Sequence, residues 1–267
     1  MSIYGGPDLG ITTRPEISPK KSTPVLFFNA RNRKSYPRSG TTWYNLIDNG
    51  YDAVHVNGPS FSASGKYFGY DGTNDYSYIK NLWYGDSYSR RINELTVLCW
   101  MRTTFNSANF LSNGSGTGDN WSFIDFDRSD VFNFYPNGNG RLGFAGRSSN
   151  SGGFSGYYDL VGSSSINDGN WHFVGVTFSV SAQKIIFYID GEIDSTNTAN
   201  GSMNGLGYGA KRYGFIGDGS EAGSQNSTRN YIYYQGDIAS LIMYDDIALS
   251  ENRINRMYRA KKGRFGL

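Results

Sequence analysis

Few side chains in this sequence could carry covalent or acid–base chemistry. Cys99 is the only cysteine, and His55 and His172 are the only histidines. No Ser/His/Asp arrangement is evident around either histidine, and two of them leave little room for one. One carboxylate pair, Glu192 and Asp194, stands at the spacing that puts both acids on one face of a strand. Oxygen-rich tips at Asp218-Gly-Ser-Glu221 and Asp119-Asn120 offer the donors that Ca2+ takes, without the spacing of an EF-hand. Two more groups end glycine-rich loops: Asp119, Asn120 and Trp121, then Tyr157, Tyr158 and Asp159. Each joins an aromatic face to hydrogen-bonding side chains, the mixture that orients a ligand in a mostly apolar site.

The elements that must position these residues read as strands. From Trp171 to Phe178, residues Trp171, Phe173, Gly175 and Thr177 alternate with His172, Val174, Val176 and Phe178. In the run Lys184 to Gly191, Ile185, Phe187 and Ile189 share a face opposite Ile186 and Tyr188. The intervening residues make a hairpin, and Asp190-Gly191 supplies a second tight turn. A hairpin this apolar needs a second sheet over it, which predicts a β-sandwich with Trp171 as a core anchor. Alternation in Thr96 to Thr103 sets Leu98 and Trp100 against Val97, Cys99 and Met101. Further strands are expected at Val25–Phe28, Trp43–Ile47, Asp52–Val56, Lys66–Tyr70 and Tyr76–Ile79, with a meander over Trp121–Phe126, Val131–Tyr135 and Arg141–Phe144. Residues 146–156 and 218–230 read as polar loops around the short strand Tyr213–Gly217, and Tyr231–Tyr234 and Asp237–Tyr244 close the sandwich. One helix is expected, capped by Ser250, striped by Ile254, Met257 and Tyr258, and stopped by Gly263.

Composition agrees with a single large all-β domain. Aromatics are 16% and charged residues 18% of 267 residues, with 35 glycines to serve the turns. Net charge is +2 with no long basic run, which excludes the footprint of a nucleic-acid binder. No apolar run approaches the roughly 18 residues of a membrane span, and no secretory signal is visible at the amino terminus. A lone cysteine cannot form an intramolecular disulfide, so Cys99 is expected as a buried thiol. Residues 1–24 hold Pro7, Pro15, Pro19 and Pro24 and read as an extended arm ahead of a domain spanning 25–267.

Three separated motifs carry a family resemblance. Asp168-Gly-Asn-Trp-His-Phe-Val followed by Phe187-Tyr-Ile-Asp-Gly191, the stretch Asp71-Gly-Thr-Asn-Asp-Tyr76, and Gly236-Asp-Ile-Ala with Met243-Tyr-Asp-Asp resemble laminin G-like domains. These belong to the concanavalin A-like lectin/glucanase superfamily, which implies a jelly-roll β-sandwich. Glucanases of that superfamily place a Glu-x-Asp-x-Glu motif on one strand; here Thr196 follows Glu192 and Asp194 at the third position. Relatives that act as alginate lyases use Gln-x-His, and neither His55 nor His172 has glutamine two residues before it. The chain is therefore read as non-enzymatic. The resemblance implies loop aromatics that stack on sugars, which makes Asp119, Asn120, Trp121, Tyr157, Tyr158 and Asp159 the carbohydrate-binding candidates. It needs no cofactor and allows Ca2+, with Asp218 and Glu221 as the metal candidates.

The front of the chain is similar to laminin G-like structural proteins of tailed bacteriophages, those of cyanobacteria in particular. Tyr4-Gly-Gly-Pro7, Lys34-Ser-Tyr-Pro-Arg-Ser-Gly-Thr-Thr-Trp43 and Asn57-Gly-Pro-Ser-Phe61 carry this likeness. Asn29 and Asn45 stand where that pattern has aspartates, so no metal role is carried over to them. The likeness implies a virion protein made in the host cytoplasm, displayed on the particle surface and anchored through Tyr4, Pro7, Pro15 and Pro19. Its partners would be other capsid or tail proteins, host surface glycans and further copies of itself. Capsid decoration is the first reading, a tail-fibre or tail-tip adhesin for host polysaccharide the second, and a polysaccharide hydrolase or lyase the third.

Overall fold

Alternating side chains sort the chain into two packed sheets and a helical roof. The computed structural model describes residues 23–79, 82, 91–106, 122–127, 131–147, 157–199, 203–207, 213–220 and 229–267. Tyr4, Pro7, Pro15 and Pro19 lie outside the described residues. The strands in chain order are β1 (Leu26–Asn29), β2 (Thr42–Trp43), β3 (Ala53–Val56), β4 (Ser60–Ser62), β5 (Tyr67–Asp71), β6 (Tyr76–Ile79), β7 (Glu94–Arg102), β8 (Ile124–Asp125) and β9 (Phe132–Pro136). They continue as β10 (Arg141–Arg147), β11 (Tyr157–Ser165), β12 (His172–Ser179), β13 (Lys184–Ile189), β14 (Glu192–Thr198), β15 (Gly214–Ile216), β16 (Asp218–Ser220), β17 (Arg229–Tyr233) and β18 (Gln235–Tyr244). Helix α1 (Glu251–Arg259) and a 3-10 turn at Lys262–Phe265 follow.

The first sheet runs β14-β13-β12-β7-β18-β5-β4, with β1 also paired to β18. The second runs β11-β10-β9-β8-β15-β6-β3-β2, and β16 pairs with β17. The expected hairpin is β12–β13, with Val174 opposite Ile189 and Phe178 opposite Ile185. Its inward residues, Val174, Val176, Phe178, Ile185 and Phe187, are buried against Phe132, Phe134, Leu142 and Phe144 of the second sheet. Phe144 and Phe178 meet across the two layers with ring centroids 6.2 Å apart. Cys99 is buried in that layer as a free thiol.

The outward face of the first sheet is also apolar. Leu98, Trp100, Phe173 and Tyr188 form a second cluster with Ile254 of α1. Trp100 stacks on Phe265 at 4.0 Å and on Tyr258 at 5.8 Å. This explains why the central strands read as almost continuously apolar: both of their faces are covered.

Several expectations are corrected. Trp171 is half-buried just before β12, packed on the outward side against Tyr67 and Phe265, whereas Trp43 is fully buried in the core. Ser250 occupies the N-cap position, but its side chain makes no capping bond, and its carbonyl accepts from the Ile254 N–H. The helix ends at Arg259, and Gly263 lies inside the 3-10 turn that Gly266 closes at φ 80°. The strand expected to Ile47 stops at Trp43 because Asn45 turns the chain. Its Oδ1 accepts from Phe27 N and Ile47 N, while Nδ2 donates to the Val25 carbonyl. The expected loop 218–230 holds β16 and the start of β17, and β4 and β11 are strands that alternation did not reveal.

Candidate functional site

Antiparallel partners lie on the same face of a sheet, so the register of the second sheet defines its outward surface. One row crosses six of its strands: Val54 pairs with Tyr78, Tyr78 with Phe215, Phe215 with Asp125, Asp125 with Asn133, and Asn133 with Ala145. Ala145 in turn pairs with position 159 of the edge strand β11. In the next row Tyr135 faces Gly143, where a Cβ would come within 2.2 Å of the tyrosine ring. Glycine there lets the ring lie flat across the strand.

One side of this surface is aromatic. Tyr76, Phe215 and Tyr233 form a cluster separate from the core, joined by half-buried Val56, Tyr78 and Tyr213. Tyr78 and Tyr213 have ring centroids 6.2 Å apart. The middle of the surface is polar although buried: Asp125, Asn133 and Asp127 are each at most 3% exposed. The Ser122 hydroxyl donates to Asn133 Oδ1 at 2.9 Å, and the Asp127 N–H donates to Asp125 Oδ1 at 2.5 Å. Buried oxygens of this kind are kept only where hydrogen bonds meet them.

The described sequence candidates can be placed by backbone pairing alone. Ser122, the residue after Trp121, accepts from Gly217 N, which brings the chain at 122 beside the chain at 218. Asp119, Asn120, Trp121 and Glu221 themselves lie outside the described residues. Tyr157, Tyr158 and Asp159 belong to β11. Positions 157 and 159 pair with Arg147 and Ala145 on the outward face, and position 158 pairs with Gly146 on the other. Asp218 is no loop tip: it is fully buried in β16, beside the polar middle of the sheet. No group of three or more His, Cys, Asp or Glu gathers for a metal among the described residues.

The remaining chemistry-bearing residues have structural partners. Asp194 accepts from the Ser163 and Ser164 N–H groups at 2.7 and 2.9 Å, which ties β14 to the edge of the other sheet. Glu192 accepts from Asn255 of α1 at 2.6 Å. His172 sits between Asp190 at 2.8 Å and Asp168 at 3.1 Å. Burial alone would lower its pKa, but the two carboxylates overcome it and hold the imidazole above its ordinary value. His55 is packed among Tyr36, Trp43 and Phe68, and burial lowers its pKa to about 4, so it is neutral.

Sequence reasoning missed Tyr78, Asp125, Asn133, Tyr135, Tyr213 and Phe215 as members of one surface. The alternation that turns them away from the sandwich core was visible in each strand. Which alternate set faces outward depended on pairings between residues far apart in the chain.

The family model of the concanavalin A-like lectin/glucanases superfamily matches residues 71–255, more than half of the chain. No curated protein matches it in sequence. Among solved structures, the binding domain of Paraclostridial Mosquitocidal Protein 1 is similar with a TM-score of 0.59 at 14% identity, over 89% of this chain and 52% of that one. The ligand binding domain of botulinum neurotoxin serotype D in complex with N-acetylneuraminic acid gives 0.54 at 15%, over 89% and 51%. Botulinum neurotoxin type C, whose cell entry depends on two ganglioside molecules, gives 0.54 at 13%, also over 89% and 51%. The chain spans about half the length of these structures, and identities this low carry the fold alone.

Proposed function

The chain belongs to the concanavalin A-like lectin/glucanases superfamily, and from that premise we propose that it is a non-enzymatic glycan-binding protein of a phage virion surface. The observation that carries the binding half is the pair of half-buried rings Tyr78 and Tyr213 at the aromatic end of the row that Phe215, Asp125 and Asn133 continue across the second sheet. Half-buried Tyr78 and Tyr213 offer ring faces on which a pyranose can stack, while Phe215, Asp125 and Asn133 are buried beneath them and hold those rings in place. The toxin domains that share the fold include one in complex with a sialic acid, which supports a sugar as the ligand class.

A catalytic reading has less to stand on. Asp125 has Phe215 and Asn133 as its cross-strand neighbours, and Glu192 and Asp194 are engaged in holding elements together. The virion half rests on the likeness of the segments around Tyr4–Pro7, Lys34–Trp43 and Asn57–Phe61 to tailed-phage proteins. Within it, capsid decoration with the sandwich outward is the first choice, anchored by residues 1–24. The second reading, a tail-tip adhesin, is favoured by the likeness to binding domains of toxins. A single shallow sugar site gives an affinity on the order of 1 mM, about −4 kcal/mol. Repetition over a particle raises avidity by orders of magnitude without a new contact.

The test is a glycan array with purified protein, followed by titration of the best polysaccharide into the parent and Tyr78→Ala. Loss of roughly tenfold in affinity, about 1.4 kcal/mol, is expected from removing one stacking ring. Unchanged binding by Tyr78→Ala would move the site off this surface. Imaging virions that carry a labelled subunit separates capsid from tail.

A further inference from the structure

The opposite side of the molecule holds a cavity that the glycan reading does not use. It lies between the outward face of the first sheet and the helical roof, has a volume of about 370 Å³, and opens to solvent. Its floor is Phe27, Trp100 and Ile242, and Met257 of α1 forms part of its roof. That volume falls within the range of small-molecule sites, and the lining is mostly apolar.

Its rim is cationic. Lys261 and Arg264 line the mouth, and Arg31 and Arg38 stand close enough to act on Arg264. Burial and then the charges of Arg31 and Arg38 lower the Arg264 pKa to about 10. Among the described residues no carboxylate forms an ion pair with Arg31, Arg38, Lys261 or Arg264. Arg264 spends its donors weakly, at 3.4 Å on Asn29 Oδ1 and 3.2 Å on the Lys66 carbonyl. Arg38 does not line the cavity, but its donors are held by the Ala30 and Arg31 carbonyls, which fixes its charge within reach of Arg264. A cluster of like charges beside an apolar cavity is costly on its own, and an anionic head group removes that cost while its apolar body fills the space.

We propose that this cavity binds an amphipathic monoanion, with the apolar body against Phe27, Trp100, Ile242 and Met257 and the anionic head at Arg264 and Lys261. Charge complementarity selects this ligand over a neutral one, and the enclosed volume limits the body to a medium-length chain or a small ring system. The site is separated from the glycan surface by the whole thickness of the sandwich, so its failure leaves that reading standing.

Decanoate and the neutral decanol are the probes, titrated into the full chain by calorimetry at low and high salt. Saturable decanoate binding is expected, weakened by salt, with decanol binding more weakly. Arg264→Gln should weaken decanoate roughly tenfold and leave decanol unchanged, which also certifies that the variant is folded. Met257→Trp, which fills the cavity from the roof, should weaken both probes while the melting temperature holds. Absence of saturable decanoate binding overturns the proposal. So does equal affinity for the two probes, or decanoate binding indifferent to both substitutions.

Discussion

Gly191→Ala separates what the turn after β13 costs by itself from what it does for the helical roof. Asp190 and Gly191 have φ of 52° and 85°, the left-handed pair of a tight hairpin turn. A Cβ on Gly191 would lie 3.0 Å from Tyr258 Cβ and 3.1 Å from Asn255 Cα, so α1 rests directly on the turn. Asn255 also donates to the Gly191 carbonyl at 3.3 Å. Two penalties follow. A non-glycine residue in the left-handed region costs roughly 1–2 kcal/mol. Pushing a backbone Cα that cannot rotate away adds about 1–3 kcal/mol, the usual range for overpacking. Gly50→Ala is the control: φ is 77° there and a Cβ meets nothing within 4 Å, so only the first penalty applies. Urea denaturation of both variants should therefore differ by about 1–3 kcal/mol, with Gly191→Ala the weaker. Thermal midpoints should separate by about 2–4 °C for each kcal/mol. Equal losses in the two variants would refute the idea that the turn braces α1.

The two histidines should give stability profiles of opposite sign. His55 is neutral in the fold with its pKa lowered to about 4, so the unfolded chain takes up the proton first as pH falls. Stability should drop between pH 6.5 and 4, by roughly 3 kcal/mol over the full interval, and His55→Phe should flatten that limb of the urea midpoint profile. The His172 pKa is raised, so its contribution is complete below the unfolded value near 6.5 and fades as pH climbs through the folded value. His172→Gln should remove the alkaline decline, and an unchanged slope would contradict the carboxylate sandwich. Burial pushes the Cys99 thiol well above its ordinary pKa, so a disulfide reagent should label it only as fast as the chain unfolds. Asn45→Ala should cost about 2–3 kcal/mol by stranding the Phe27 and Ile47 N–H groups, and Asn45→Asp should recover only part of it, because it cannot donate to Val25.

The elements legible in the sequence were those whose pattern is local. Alternation in Trp171–Phe178 and Lys184–Ile189 assigned each side chain to its face, because both strands are long and their turn residues accept positive φ. The same alternation could not say that the Trp171 side is the outward one, since a helix covers that face as thoroughly as the second sheet covers the other. Alternation therefore reads Trp171 as core, whereas it packs on the rim of the roof. The end of α1 departs from its sequence signal for a related reason. Gly263 has the right residue type for a stop, but the chain had already tightened at Ala260 to lay Phe265 on Trp100.

The candidate surface was illegible because its members are joined by β15, a strand of three residues. Gly214–Ile216 inserts between β6 and β8, so Tyr78, Phe215 and Asp125 become neighbours although the chain visits them in the order 78, 125, 215. No periodicity within a short segment encodes that insertion; it depends on long-range pairing that forms only as the sandwich closes. Loop composition pointed instead to the ends of two glycine-rich segments, of which residues 157–159 fall in β11 at the edge of this sheet and 119–121 lie outside the described residues. The same topology makes the two proposed sites mechanically independent. The sugar surface hangs on β15 and its neighbours in the second sheet, whereas the anionic cavity hangs on α1 and the first sheet. A substitution that loosens α1, such as Gly191→Ala, should therefore disturb decanoate binding and leave the polysaccharide titration unmoved.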